Sequence, residues 1–341
     1  MIREFKKNLI KSALFSAFFV ATGCSEGVQT LRLSGQTMGT SYHLTIVGAG
    51  QKFNETEILT ATERVLEDVN QKMSSYRSDS ELASINQSKQ EGWQKVSAEL
   101  LYVLELSQLV AEQSRGAFDI TIAPLVNLWG FGPLHRRDQL PEKKEIEEAL
   151  ASVGWQTIEL DGKVLQMRRK KNITIDLSAI AKGYGVDRIA TQLQAMGYSN
   201  FLVEVGGEVK VAGHSARGKP WRLAIEKPNL LGGEVYQAIA LNDGAIATSG
   251  GYRNYFEIDD TRYSHTIDPR TGFPVTHDLV SVTVIMDDAG LADAWATALT
   301  VLGPVRGLVL AEEKALAAFF ISGSGNYFSS AHTAAFSRYM D

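Results

Sequence analysis

Phe201-Leu-Val-Glu-Val-Gly-Gly-Glu-Val-Lys-Val211 decides the fold. Two short β-rich runs, Phe201–Val205 and Glu208–Val211, flank Gly206-Gly207, a pair that reads as a hairpin turn. More short strands follow at Arg222–Glu226, Val235–Ala240, Ala245–Thr248, Tyr255–Ile258 and Val280–Ile285, and Ile173–Asp176 precedes them. Helices are expected over Ala179–Met196, Leu291–Leu302 and Val305–Glu313. Strands in consecutive hairpins pair antiparallel, so the expected class is α+β, with mixed, largely antiparallel sheets and packed helices. A doubly wound sheet is disfavoured: strands and helices alternate irregularly, and no GxGxxG opens a helix.

Upstream, Leu31–Val47 alternates like a strand and is broken by Thr37-Met38-Gly39-Thr40. Glu55–Met73 carries Ile58, Leu59, Val65, Leu66 and Val69 on one helical stripe. Leu100–Val110 reads as a second helix, with Ser97 as its N-cap and Arg115-Gly116 past its end. Pro124–Pro133 is expected to be an aromatic loop, and Pro141–Val153 a short helix led by proline. A hairpin is expected at Ile158–Leu165 with an Asp161-Gly162 turn. No repeat or linker divides the chain.

The chain has 341 residues, 44% of them hydrophobic and 21% charged. That supports a sizeable core and excludes a disordered or nucleic-acid-coating protein. The first residues form a separate object. Arg3, Lys6, Lys7 and Lys11 precede the apolar run Ala13–Ala21, and Thr22-Gly23-Cys24 follow. This is the layout of a signal peptide. The run is too short to span a bilayer, which takes about 20 residues as a helix. A cysteine after a small pair resembles a bacterial lipobox, with Ala21 where Leu is usual. Residues 1–23 are therefore expected to be a signal peptide and 24–30 a tether lipidated on Cys24. Residues 31–341 form the functional domain. Cys24 is the chain's single cysteine, which suits an oxidising compartment. Without residues 1–24 the chain holds 30 basic and 38 acidic residues, net −8. Such a surface does not attract nucleic acid or anionic lipid, so acyl chains must supply the anchor.

Three clusters carry chemistry. In Asp176-Leu-Ser-Ala-Ile-Ala-Lys-Gly-Tyr184, a strand ends at Asp176, Ser178 is placed to cap, and Lys182 stands in the first helical turn. Helix N-termini attract phosphate, and Gly183 and Gly185 leave room for a diphosphate. A capped helix with a surface lysine explains the same residues. In Asp293-Ala-Trp-Ala-Thr297, the i, i+4 spacing puts two hard oxygen ligands of the kind Mg²⁺ takes on one face. A dipole-facing Asp and a buried Thr bonded to its own backbone fit as well. In Tyr263-Ser-His-Thr-Ile-Asp-Pro-Arg-Thr-Gly272, a strand carries His265 into a turn. His265 is the best general-base candidate, since imidazole titrates near neutrality; a structural histidine is the alternative. The basic run Arg168–Lys171 reads as a solvated strand edge.

In this order the segments resemble the ApbE family of FAD:protein FMN transferases from about Leu31 to the C-terminus. The resemblance is carried by TMGT at 37–40, MSSYRSDSELASIN at 73–86, GAFDITIAPLVNLWGFG at 116–132 and DLSAIAKGYGVD at 176–187. VEVGGEV at 203–209, ATSGGYRNYF at 247–256, YSHTIDPRTGFPV at 263–275 and ADAWATAL at 292–299 continue it.

The resemblance implies an ApbE-like fold and assigns roles. FAD, as substrate, would contact Met38, Tyr76, Ala117, Phe118, Asp119, Asp176, Lys182 and the backbone near Ile267. Mg²⁺ would be held by Asp293, Thr297 and the backbone carbonyl of Ala179, and His265 would be the base. The implied reaction transfers FMN from FAD to a threonine hydroxyl of an acceptor protein and releases AMP. Acceptors would be flavin-carrying subunits of membrane NADH:quinone reductase-type complexes. The enzyme would be lipid-anchored at the periplasmic side of the inner membrane. A periplasmic FAD pyrophosphatase and a non-catalytic FAD-binding protein are the two alternatives.

Overall fold

The computed structural model describes residues 27–49, 52–89, 92–132, 139–228, 233–251, 255–258, 261–324 and 327–340. The expected signal peptide, Cys24, and Tyr252, Arg253 and Asn254 of the ATSGGYRNYF segment lie outside these residues.

The chain opens with β1 (Val28–Thr37), β2 (Thr40–Ala49), α1 (Glu55–Met73), α2 (Glu81–Gln87), β3 (Gln94–Lys95) and α3 (Ala98–Gln113). Then come α4 (Ala123–Leu128), α5 (Lys143–Ala151), β4 (Ile158–Asp161), β5 (Gln166–Arg169) and α6 (Ala181–Ala195). Strands β6 (Phe201–Val205), β7 (Glu208–Ala212), β8 (Trp221–Glu226), β9 (Val235–Leu241) and β10 (Gly244–Gly250) follow. The remainder is β11 (Tyr255–Ile258), β12 (Thr261–Ser264), β13 (Leu279–Met286), α7 (Ala289–Glu313), β14 (Ala317–Ser324) and β15 (Tyr327–His332).

Eight strands form one sheet in the order β1-β2-β6-β7-β10-β13-β14-β15, and every strand pair among the described residues is antiparallel. The 201–211 hairpin lies in the middle of that sheet, with Val205 opposite Glu208. Helices α1 and α6 cover one part of it: Leu66, Val186, Ile189 and Leu193 pack on Leu44, Ile46, Phe201 and Val203. Helix α7 buries Trp295 and Leu299 against Val282, Val284 and Phe320. Taken as one run, Ala289–Glu313 is long and apolar enough to cross a membrane by length and composition, yet it is broken at Gly303 and packs as core between the sheet and α3. The opposite face of the sheet packs Phe319 and Ile321 on Trp221, Ile239 and Phe336.

The structure corrects several sequence expectations. The expected tether reaches into β1, because Val28 already pairs with Ala49. Pro124–Pro133 is not all loop: α4 occupies Ala123–Leu128, with its proline in the first turn, where no hydrogen bond is lost. Ile173–Asp176 is not a strand. Its backbone bonds go to the side chain of Asn86 (Ile175 N to Oδ1, 2.9 Å) and to the carbonyl of Ile120 (Asp176 N, 2.7 Å), so no ladder forms. Ser178 does not cap α6; Ile180 holds that position without a side-chain hydrogen bond. The turn between β4 and β5 spans 162–165 rather than Asp161-Gly162. The two expected C-terminal helices, by contrast, stand: Gly303 (φ 78°, ψ 178°) is non-helical and breaks the run between them, ahead of Pro304, whose missing N–H interrupts the ladder.

Candidate active site

Helix α7 starts well capped: Asp288 Oδ1 accepts from Leu291 N at 3.0 Å, and Asp187 Oδ2 of α6 accepts from Gly290 N at 2.9 Å. The first turns of α6 and α7 thereby come side by side. Asp293, one turn into α7, is 3% exposed. Its Oδ2 lies 3.4 Å from Lys182 Nζ and 3.5 Å from Gly183 N, an amide in the first turn of α6 with no partner inside its own helix. Glu208, on β7 just past the Gly206-Gly207 turn, puts Oε1 3.6 Å from the same Nζ. Burial opposes the charge on Lys182, but Asp293 and Glu208 outweigh it and hold the ammonium above its ordinary value. Burial pushes the Asp293 carboxyl up against the pull of Lys182. Burial, and then the charge of Asp293, push Glu208 well above the usual carboxylate range.

These groups sit on the floor of a cleft of about 520 Å³. Tyr76, Ala117, Phe118, Asp119, Asp176, Ala179, Lys182, His265, Ile267, Asp293 and Thr297 all line it. Met38 does not. It lines an adjoining cavity of about 720 Å³ that shares Tyr76, Ser178 and Lys182 with the cleft. Met38 and Gly39 form the two-residue turn between β1 and β2, both at positive φ (48° and 73°), the geometry of the primed hairpin turns. The Met38 methyl reaches α6, where a Cβ on Gly185 would stand 3.3 Å from it. A Cβ on Gly183 would meet the Ala289 carbonyl at 2.2 Å. Neither glycine therefore opens space for a diphosphate, as the sequence reading had it; both let other parts of the chain approach α6 closely.

His265 follows β12 and enters a braced loop. Asp268 N donates to Phe273 O (2.9 Å), Val275 N donates to Thr266 O (3.0 Å), and Arg270 grips Asp268 through Nε and Nη2 at 2.8 and 2.7 Å. Trp129, past the end of α4, holds the loop from below. Its Nε1 donates to Gly272 O (2.8 Å) and its ring stacks on Tyr263 at 5.8 Å. Phe131 meets the His265 ring edge-on at 6.3 Å. The aromatic segment 124–132 thus fixes the base candidate. Of the other histidines, His43 pairs with Glu204 on the surface, His332 stacks on Phe319, and His135 lies outside the described residues.

The carboxylate of Asp119 is largely engaged. Oδ1 accepts from Thr121 N (2.8 Å) and Oγ1 (2.6 Å), and Oδ2 from Trp155 N (3.1 Å). Asp176 Oδ1 accepts from Ser178 N at 2.9 Å. Tyr76, 69% exposed, stands at the rim, and Thr297 Oγ1 is 3.1 Å from Ser249 Oγ. Sequence reasoning passed over Glu208 and Ser249, which lie inside quoted segments but have no special spacing. The run Arg168–Lys171 is structural rather than a plain solvated edge: Arg169 Nη2 donates to Ser88 O at 2.7 Å and Lys171 Nζ to Val153 O at 2.9 Å.

An α+β scaffold whose cleft gathers a buried acid–lysine cluster, a hydroxyl and a histidine defines an enzyme. The comparisons with known proteins name the family. The ApbE family profile matches residues 38–320. A Vibrio cholerae FAD:protein FMN transferase is 43% identical over 300 residues, 88% of this chain and 89% of its own. The FAD:protein FMN transferase of Escherichia coli K12 is 36% identical, with 93% of each chain covered. The solved structure of the flavin transferase ApbE from Vibrio cholerae superposes with a TM-score of 0.84 at 38% identity, over 92% of this chain and all of that one. The chain belongs to the ApbE family, and it is a transferase.

Proposed function

We propose that this cleft transfers FMN from FAD to a threonine hydroxyl of an acceptor protein, with Mg²⁺ bound, and releases AMP. The observation that carries the reading is the meeting of His265, Lys182, Asp293 and Thr297 in one cleft, from a loop and two helices far apart in sequence.

The residues present suit the metal. Asp293, Thr297 and Ala179 line the cleft, and a carboxylate, a hydroxyl and a backbone carbonyl are all hard oxygen donors. Among the described residues, no three His, Cys, Asp or Glu side chains gather as a metal cage. Mg²⁺ is commonly held by one or two carboxylates together with waters and substrate phosphates. Glu208 adds a buried oxygen, Oε2, with no hydrogen-bond partner among the described residues. When bound, Mg²⁺ would neutralise charge on the diphosphate.

The chain's own groups then divide the work. His265 takes the proton of the acceptor threonine. The threonine oxygen forms a bond to the phosphorus nearer the riboflavin, the bridging P–O bond breaks, and AMP carries that oxygen away. Lys182, at the N-terminus of α6, counters the developing charge. Asp119 and Asp176 brace the walls through their backbone partners, and Tyr76 at the rim and Met38 in the adjoining cavity extend the surface open to FAD. Acceptors would be flavin-carrying subunits of membrane electron-transfer complexes. They would be reached from the periplasmic side by an enzyme anchored through a lipidated Cys24.

The deciding experiment incubates enzyme, FAD, Mg²⁺ and a threonine-bearing acceptor and weighs the acceptor. An added FMN mass with AMP release is expected. AMP and free FMN without an adduct would identify a pyrophosphatase, and no AMP at all a binding protein.

A further inference from the structure

Glu208 is 3% exposed and lines the cleft, and no step of the reaction proposed above uses it. Its Oε1 is 3.6 Å from Lys182 Nζ, while Oε2 has no hydrogen-bond partner among the described residues. A buried carboxylate oxygen left in that condition is costly, and an apolar side chain of like volume would avoid the cost. A carboxylate there makes sense if its second oxygen serves a group that enters the cleft.

The local fold aims it. Gly206 turns the chain at φ 60°, and a Cβ there would press on Thr40 Cγ2 at 2.8 Å and approach Lys182 Cδ at 3.4 Å. The Lys182 stem therefore lies over the turn, with its ammonium between two carboxylates from different elements, Glu208 on β7 and Asp293 on α7. One ammonium satisfies only part of that acidic pair. The surplus is an acceptor directed at a cation or at hydrogen donors carried by one.

We propose that Glu208 is the second acidic group of the divalent-cation site, and that its Oε2 accepts a hydrogen bond from a water on the ion held by Asp293 and Thr297. The inference rests on the reading of this cleft as a Mg²⁺ site. Mg²⁺ keeps several of its waters when bound, so an acid one layer out has something to hold. Removing such outer partners typically costs about 10–100-fold in metal affinity.

The test titrates the full chain with Mn²⁺ in the presence of ADP and follows the free ion by electron paramagnetic resonance. Mn²⁺ accepts the same oxygen ligands as Mg²⁺. Glu208→Gln is expected to melt at or above the wild-type temperature yet bind Mn²⁺ about 10–100-fold more weakly. Asp293→Asn should lose more. Wild-type Mn²⁺ affinity in Glu208→Gln, alongside loss in Asp293→Asn, overturns the Glu208 role and leaves the metal site standing. Wild-type affinity in both variants removes the metal site and the inference together. Should Glu208→Gln fail to fold, Glu208→Met, which fills the volume without a polar atom, carries the same expectation and the same refutation.

Discussion

The backbone of Gly183 meets the carbonyl of Ala289 so closely that a Cβ at position 183 would lie 2.2 Å from that oxygen and 2.8 Å from Gly290 Cα. This contact joins the N-terminal turns of α6 and α7 and brings Lys182 to Asp293. Both opposing atoms are backbone, so neither can rotate away. On an open helix Gly→Ala would stabilise by roughly 0.4–1 kcal/mol. Here Gly183→Ala is expected to destabilise by about 1–3 kcal/mol, the usual scale of overpacking, and to weaken transfer by parting the two helices. Thermal melts check it; an unchanged or raised Tm would show that the helices yield freely.

Asp187 supplies a pH signature of the same junction. Burial, with the charge of Asp288 behind it, pushes its carboxyl up to about 6, although Lys210 and the amide of Gly290 favour the ionised form. A folded-state value above the unfolded one means that the native protein keeps a proton the unfolded chain has lost. The stability this group contributes is complete below about pH 4 and is lost as pH rises to about 6. Asp187→Asn keeps an acceptor for Gly290 N and cannot titrate. The wild-type minus variant unfolding free energy, from urea melts, should therefore fall between those pH values and be flat above them. A flat difference throughout would mean that Asp187 titrates alike in both states.

Asp293→Ala tests the metal role. Its carboxylate is buried and is the one acid among the three proposed metal donors. Transfer should vanish at any practical Mg²⁺ level while FAD still binds weakly, which fluorescence quenching of the flavin would report. Full transfer by this variant would remove Asp293 from the site.

Cys24→Ser tests the anchor. The variant should appear in the soluble fraction or keep its leader uncleaved, and purified protein should still transfer FMN. A processed variant that stays on membranes through a carbonate wash would refute lipidation at Cys24.

Legibility in the sequence followed the range of the forces involved. Helix α1 was readable from the apolar stripe on its buried face, and α3 from Ser97, which caps it locally. The central hairpin was readable from Gly206-Gly207. Strand β14 was missed: its first five residues, Ala317–Ile321, are all buried without alternation, and a strand covered on both faces carries no period to read. Asp293, Thr297, Lys182 and His265 stood out by residue type and spacing. Glu208 did not, because its significance lies in Lys182 Nζ lying 3.6 Å away, a contact that sheet order creates and local pattern does not. The glycines at 183 and 185 were assigned to phosphate because their neighbours α7 and Met38 are invisible from one helix.

His265 carries the last prediction. General-base help is typically worth about 10²–10⁴ in rate, so His265→Ala should lower transfer by that order. FAD affinity should hardly move, since the other proposed contacts come from the 117–119 segment, Asp176, α6 and the rim at Tyr76. The competing role is purely mechanical: the histidine seats against Phe131 at the head of the loop that Asp268, Arg270 and Trp129 brace. His265→Asn and His265→Gln separate the two, because an amide keeps polar contacts in place but cannot accept the threonine proton. If the base role holds, both variants are as slow as His265→Ala, keep wild-type melting, and lose the acid limb of the pH–rate profile. Near wild-type rates in Asn or Gln, with that limb retained, would leave His265 a loop anchor and send the search for the base to the water-accessible carboxylates of the cleft.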